Sequence, residues 1–178
     1  ALVTERPGRV RIIENGELLP EPVAGTPEVL HAGQGGLMDV AVDPEYDQNG
    51  WIYLSFSHAL ESGGDRAPAM TKIVRGKIRD NRWVEQQVLF EAPHDMYRTT
   101  RHHYGSRIVF DKEGYLYFSI GDRGGREHAQ DLGRPNGKVH RIHRDGSIPR
   151  DNPFVNTKGA MPSVFTYGHR NPQGLAVH

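Results

Sequence analysis

The sequence predicts an all-β protein built from repeated four-stranded units. Short segments of alternating apolar and polar residues recur along the chain, as expected for strands with one buried face. Glycine and proline are abundant, with 21 and 12 residues among 178, which favours many turns over long helices. No extended stretch has helical periodicity, so helices are expected to contribute little to the fold.

The core of the repeated unit is a pair of strands joined by a turn that contains glycine. Its first copy covers residues 36–55 and its second covers residues 105–119. Val42 and Phe110 hold the same place in these copies, and Val177 holds that place in a third copy, at offsets of 68 and 67 residues. The third copy is expected to begin with a strand around Val177 and to be cut off at the end of the chain.

Two further strand candidates follow each repeated pair. Four strands in each repeat of about 68 residues are typical of the blades of a β-propeller. This period is long for a propeller, so long loops are expected between strands, and functional residues are often found on such loops. The additional strands are predicted at 71–78, 87–90, 137–142 and 163–167, and the long loops at 61–68 and 91–103.

The length of the chain corresponds to about 2.6 such repeats, whereas a propeller closes with four blades or more. We therefore expect part of a larger propeller, with the end of one blade at 1–30, a second blade at 31–100, a third at 101–170 and the start of the next at 171–178. A second chain or a second copy is then expected to cover the exposed blade faces. The alternative is a small, complete β-sandwich, which should not end partway into a third repeat.

The composition excludes several classes of protein. Acidic and basic residues number 22 each, which argues against a nucleic-acid partner because such binding needs a clustered basic excess. The chain has no cysteine, so disulfides and thiolate metal sites are excluded. No apolar run approaches the roughly 20 residues that span a bilayer, and the first residues lack the pattern of a signal peptide.

Four motifs occur in order along the chain, and together they are far more specific than any one alone. They are GQGGLMDVAVDPEYDQNGWIYLSFS from Gly33, HHYGSRIVFDKEGYLYFSIGDRG from His102, GKVHRIHRDGSIPRDNPF from Gly137 and YGHRNPQGLA from Tyr167. With these motifs the chain resembles the soluble pyrroloquinoline-quinone (PQQ) sugar dehydrogenases, the glucose/sorbosone dehydrogenase family. The resemblance implies a six-bladed propeller, with PQQ bound over the central channel together with calcium.

The resemblance also implies a reaction and a setting. A sugar or another polyol would be oxidised by hydride transfer from its anomeric carbon to PQQ, and a separate electron acceptor would reoxidise the cofactor. The calcium-binding segment is expected beyond the end of this chain, so the chain alone is expected to bind PQQ weakly or not at all and to be inactive. A periplasmic or secreted location is implied by the resemblance only.

His103 is the predicted general base. A neutral imidazole can accept a proton near neutral pH, the residue ends a long loop before a repeat strand, and the matching histidine of the family is the catalytic base. Neighbours in an extended segment point to opposite faces, so His102 and His103 are not expected to share a metal, and no metal ligand is predicted. His102 is predicted to contact the substrate or to lie just behind the residues that do, and Asp122 to contact the substrate or pair with a neighbouring arginine.

Gln34, Arg170 and Asn171 are the predicted cofactor-binding residues. A guanidinium offers paired donors suited to the carboxylates and quinone oxygens of PQQ, and an asparagine amide offers another donor. Gln34 lies among glycines that allow close approach of the backbone to a flat ligand. The resemblance assigns all three residues to the cofactor. The alternatives are an Arg-Asn turn between blades and a flexible glycine turn.

Two other functions are compatible with a propeller fold. A metal-dependent lactonase on a six-bladed propeller needs carboxylate and asparagine ligands that converge on one ion, whereas the equivalent strand positions here hold Gln34 and His103. A non-catalytic propeller fragment that acts in binding or assembly is the other alternative. Among the remaining polar residues, Lys138 is expected to serve a strand or face solvent, and His140 and His143 are spaced poorly for a metal pair.

Overall fold

The computed structural model describes residues 1–60 and 66–178, and the strands in these residues form three antiparallel sheets. The residues 61–65 of the first predicted long loop lie outside the described residues. The first sheet has the order β1-β2-β3. Its strands are β1 (Leu2–Glu5), β2 (Arg9–Glu14) and β3 (Glu17–Leu18).

The second and third sheets each contain four strands, and each strand lies beside its neighbour in sequence. One short helix, α1 (Tyr46–Asn49), connects the first two strands of the second sheet. The strands of the second sheet are β4 (Leu37–Val42), β5 (Ile52–Ala59), β6 (Ala69–Arg79) and β7 (Arg82–Phe90). Those of the third are β8 (Ile108–Phe110), β9 (Leu116–Ile120), β10 (Lys138–Ile142) and β11 (Val164–Tyr167).

The two faces of the second sheet pack against different neighbours. Successive residues of a strand point to opposite faces, so Leu54 of β5 joins an apolar cluster with Val10 of the first sheet, whereas Tyr53 joins a cluster with Phe118 of the third. All four side chains are fully buried, and each contributes about 1.5–3 kcal/mol by leaving water. The three sheets are therefore stacked face to face in sequence order, as blades are.

Polar contacts fix the third sheet against the second. The buried carboxylate of Asp39 accepts a hydrogen bond from the Arg107 guanidinium at 3.0 Å and another from the Ile108 backbone N–H at 2.8 Å. The Ser55 hydroxyl donates to the Ser106 carbonyl at 2.6 Å. These bonds join β4 and β5 to the start of β8, so they set the position of the loop that precedes β8.

The strands predicted for the second and third sheets agree with the structure, whereas the sequence reasoning failed at β3 and at the end of the chain. The predicted strand around Val177 was wrong, since residues 175–177 have no strand structure. A strand is held by hydrogen bonds to a neighbouring strand, and the described residues supply none to this segment. The short edge strand β3 was not predicted. Three stacked sheets differ from the two packed sheets of the alternative fold, a small β-sandwich. The boundaries predicted for the blades stay a prediction.

None of the helices within residues 1–60 and 66–178 is long and apolar enough to cross a membrane.

Candidate active site

The predicted site residues lie on loops that meet at one edge of the sheets. Each strand of the third sheet is antiparallel to its neighbour, so β9 and β11 end at the edge where β8 begins. The loop before β4 lies beside the loop before β8. Gln34 precedes β4, His102 and His103 precede β8, Asp122 follows β9, and Arg170 and Asn171 follow β11.

A histidine–carboxylate pair lies at the centre of this edge. The His103 Nδ1 atom is 2.7 Å from Asp122 Oδ1, and the two side chains are 15% and 3% exposed. Burial acts to raise the pKa of Asp122, but hydrogen bonds from the His103 ring and from the Gly124 backbone N–H hold that pKa below its usual range. The ionised carboxylate therefore accepts from Nδ1–H and leaves Nε2 as the open nitrogen of the ring.

The backbone at His103 turns sharply. Its φ is 57°, in the left-handed region that residues other than glycine rarely adopt, and its N–H donates to Gln34 Oε1 at 2.8 Å. Because of this turn, the rings of His102 and His103 meet edge to face with centroids 4.5 Å apart. The expectation that they point to opposite faces was wrong, because it assumed an extended segment.

His102 is exposed beside this pair. Desolvation lowers the pKa of the His102 ring, and the nearby guanidinium groups of Arg123 and Arg170 lower that pKa further. The ring is therefore neutral at pH 7 and offers one donor and one acceptor to a bound molecule. Among residues 1–60 and 66–178, no three His, Asp or Glu side chains are grouped so as to hold a metal ion.

The segment that begins at Arg170 is fixed to the ends of β8 and β9. The Arg170 carbonyl accepts from the Asp122 N–H at 2.7 Å, and Asn171 Oδ1 accepts from the Gly105 N–H at 3.0 Å. The Arg170 guanidinium is exposed and has no hydrogen bond or ion pair with any described residue. It lines a cavity of about 270 Å³ that Asp122 also lines.

The polar groups left open at this edge suit PQQ. Gln34 and Asn171 each use the side-chain oxygen to accept a backbone N–H, so both amide NH2 groups remain as donors. Arg170 adds a guanidinium. A set of donors with one free cation fits a planar ligand that carries carboxylate and quinone oxygens. The same residues offer no oxygen cluster for calcium, so calcium stays an expectation from the resemblance.

Two features of the site were missed by sequence reasoning. Asp122 pairs with His103 rather than with a neighbouring arginine. Arg123 is fully buried, and its guanidinium lies 3.5 Å from the centroid of the Tyr104 ring. The sequence did contain a signal for both features, since an Asp-Arg pair comes directly after a buried strand. In an antiparallel sheet, residues that follow one strand lie beside the loop that precedes the neighbouring strand, which here carries the histidines.

The fold and the site together define a β-propeller protein in whose described residues a histidine–carboxylate pair, one free arginine and two amide donors lie at the same edge of the sheets. The chain belongs to the glucose/sorbosone dehydrogenase family, since the model of that family matches residues 1–178.

Two relatives are similar to this chain over most of its length. Aldose sugar dehydrogenase YliI of Escherichia coli (strain K12) is 37% identical over 179 residues, which cover 99% of this chain and 47% of the relative. Quinoprotein glucose dehydrogenase B of Acinetobacter calcoaceticus is 31% identical over 175 residues, which cover 84% of this chain and 35% of the relative. The chain thus spans half or less of the length of these relatives.

Solved structures match the fold. One described as glucose dehydrogenase superposes with a TM-score of 0.91 at 37% identity, and the match covers 99% of this chain and 54% of that one. The PQQ-bound form of aldose sugar dehydrogenase from Streptomyces coelicolor superposes with a TM-score of 0.73 at 25% identity, covering 96% of this chain and 47% of that one. The prediction of an all-β fold that is part of a six-bladed propeller is confirmed.

Proposed function

We propose that these residues form part of the active site of a PQQ-dependent sugar dehydrogenase, with His103 as the general base. The observation that supports the proposal most directly is the 2.7 Å contact between His103 Nδ1 and Asp122 Oδ1, which leaves Nε2 open beside unpaired donors. The names of the relatives agree, since they are sugar or glucose dehydrogenases, one is a quinoprotein and another binds PQQ.

The oxidation of a sugar at its anomeric carbon removes a hydroxyl proton and a hydride. PQQ, when bound, supplies the two-electron acceptor for the hydride. His103 takes the hydroxyl proton at Nε2, because its Nδ1–H is held by Asp122. The positive charge that the ring then acquires lies 2.7 Å from the Asp122 carboxylate, which stabilises it.

The other residues bind and orient. Arg170 and the amide groups of Asn171 and Gln34 donate to cofactor oxygens, and the neutral His102 ring contacts the sugar. The described residues form one wall of the proposed site, and they include no set of ligands for calcium. Calcium, a separate electron acceptor and a periplasmic or secreted location are proposed from the family resemblance.

Replacement of the base tests the proposal. In the protein as its gene encodes it, supplied with PQQ and calcium, we expect His103→Gln to lower kcat for aldose-dependent dye reduction by about 10²–10⁴-fold, because the proton acceptor is lost. Asp122→Asn should lower kcat less, since the ring remains but loses its partner. The matched control is His143→Gln, which lies on the turn after β10, at the opposite edge of the sheet.

Retention of near-normal turnover by His103→Gln would exclude this residue as the base. Metal-dependent hydrolysis of a sugar lactone without any quinone would instead favour the lactonase alternative. Binding without either reaction would favour a non-catalytic propeller.

A further inference from the structure

Arg123 has an unusual environment for an arginine. Its side chain is fully buried, and its guanidinium lies over the Tyr104 ring. Burial lowers the pKa of Arg123 to about 10, so the group is still charged at neutral pH. A buried charge is unfavourable unless hydrogen bonds replace those it made with water, so the contacts of this guanidinium indicate what it does.

The guanidinium donates to three backbone carbonyls. One terminal nitrogen donates to the carbonyl of His102, and the other donates to Thr100 at 2.6 Å and to Ala69 at 3.3 Å. The Thr100 hydroxyl donates in return to the Arg123 carbonyl at 2.7 Å. The loop before His103 is therefore held from inside the protein, and Ala69, which begins β6, ties the same group to the second sheet.

Asp122 and Arg123, which are adjacent in sequence, thus hold two different parts of the loop before β8. Asp122 holds the His103 ring, whereas Arg123 holds the backbone just before it. The positive φ of His103 is unfavourable for a residue with a Cβ and needs support from its surroundings. The loop cannot relax towards an extended form while the His102 and Thr100 carbonyls are fixed.

We propose that Arg123 is a positioning residue, which fixes the turn at His103 so that its ring stays on Asp122 with Nε2 towards the substrate. The proposal deepens the proposed function, because it rests on His103 as the base. A guanidinium is needed for this role since it is planar, offers donors in a fixed fork and stacks on an aromatic ring, whereas a lysine ammonium is a compact charge on a flexible chain.

The test replaces Arg123 by lysine, which keeps the positive charge and removes the fork. The first readout is nitrogen and proton NMR of protein with ¹⁵N-labelled histidine, in which the Nδ1–H of His103 is assigned by its loss in His103→Gln. We expect the slowly exchanging Nδ1–H signal of His103 to be lost or broadened in Arg123→Lys. The second readout is turnover, where kcat should fall about 10²-fold with KM changed little, because misplacement of the base affects the transition state.

Arg141→Lys is the matched control. Arg141 is also buried, lies over the Tyr115 ring and donates to Asn152 at 2.6 Å, but it contacts no residue of the proposed site. Its replacement should leave the His103 signal and kcat unchanged. An unchanged His103 signal in a folded Arg123→Lys protein would overturn the proposal, even if turnover fell.

The two readouts separate this proposal from the proposed function. If His103 is not the base, turnover will not depend on it, yet the His103 signal will still change in Arg123→Lys. If Arg123→Lys does not fold, Arg123→Gln replaces it, because glutamine removes the fork of donors and leaves no buried charge without partners. An unaltered rate of exchange of the His103 Nδ1–H in Arg123→Gln would then overturn the proposal.

Discussion

Buried polar side chains distinguish this protein at the scale of single residues, and β10 has three of them, Lys138, His140 and Arg141. The Lys138 ammonium is buried and donates to the carbonyls of His128, Ala129 and Asn136 at 2.8–2.9 Å, and burial lowers its pKa to about 8. Lys138 belongs to a strand, as one of the two expectations had it, but the buried contacts of its ammonium were not predicted. Lysine is almost never fully buried, so residue type alone favours the exposed position.

His140 is fully buried in the same strand. Its ring stacks on Phe118 with centroids 4.8 Å apart and bonds to the Ser163 hydroxyl and the Pro135 carbonyl. Burial lowers the pKa of His140 to about 3. The ring is therefore an uncharged part of the core, and this environment depends on residues that are distant in sequence.

The pKa of His140 predicts a pH dependence of stability. The unfolded chain binds a proton at this residue below about pH 6.5, whereas the folded protein does not until about pH 3. Stability is therefore lost as the pH falls through this window, by about 1.4 kcal/mol for each pH unit from this residue. We expect the free energy of unfolding of His140→Phe to fall less steeply between pH 6.5 and 4.5, measured by urea unfolding. Equal slopes for the two proteins would contradict this prediction.

At the scale of elements, the residue that follows β9 is Gly121, and its lack of a side chain lets two segments of the site pack closely against it. A Cβ atom on Gly121 would lie 2.2 Å from the His103 carbonyl oxygen and 2.9 Å from Asn171 Oδ1. The loop before β8 and the segment after β11 therefore both pack on the backbone of Gly121. Neither contact follows from strand periodicity, although the period of two did predict β9 itself.

Gly121→Ala should disturb both segments at once. We expect a loss of about 1–3 kcal/mol in the free energy of unfolding, because the added methyl group meets backbone atoms that cannot move away freely. The urea midpoint measures this loss. Gly174→Ala is the control, since a Cβ there would have no atom within 4 Å, and its effect should stay within about 0.5 kcal/mol. Similar midpoints for the two variants would show that the end of β9 is less tightly packed than the distances indicate.

At the scale of the whole molecule, the repeat predicts contacts as well as strands. Asp39 and Arg107 are 68 residues apart and form an ion pair, and Gln34 and His103 are 69 apart and share a hydrogen bond. Both separations are close to the repeat, because residues at or just before the first strands of the two four-stranded sheets, β4 and β8, lie side by side. The fold and the neighbourhood of Gln34 and His103 were therefore predictable from the sequence.

Contacts outside this register were not predictable. The partners of Asp122 and Arg123 depend on how the turn at His103 folds, and the bond between Asp43 and Arg144 joins residues 101 apart.

What covers the outer face of the third sheet also stays a prediction. Its apolar groove, of about 450 Å³, is lined by residues that include Val109, Phe165 and Val177. A further blade, a second chain or a second copy remains the predicted cover for this face.

The junction between the second and third sheets predicts how stability is shared across the molecule. Asp39 is buried and accepts from the Ile108 N–H at 2.8 Å, so Asp39→Ala leaves that N–H buried without an acceptor, at a cost of about 1–3 kcal/mol. Asp39→Asn keeps one oxygen for the N–H and should cost less. The measurement is urea unfolding together with hydrogen exchange at the Ile108 amide, which should become faster in Asp39→Ala while exchange within β5 changes little.

Glu113→Ala is the control for this junction, because Glu113 is exposed on the turn between β8 and β9. Its replacement should leave both the unfolding free energy and the exchange at Ile108 unchanged. If exchange in β5 and at Ile108 rises together in Asp39→Ala, the two sheets unfold as one cooperative unit and the carboxylate contributes to global stability only. If only Ile108 and its neighbours in β8 are affected, the third sheet opens separately at this junction, and the loop that carries His103 opens with it.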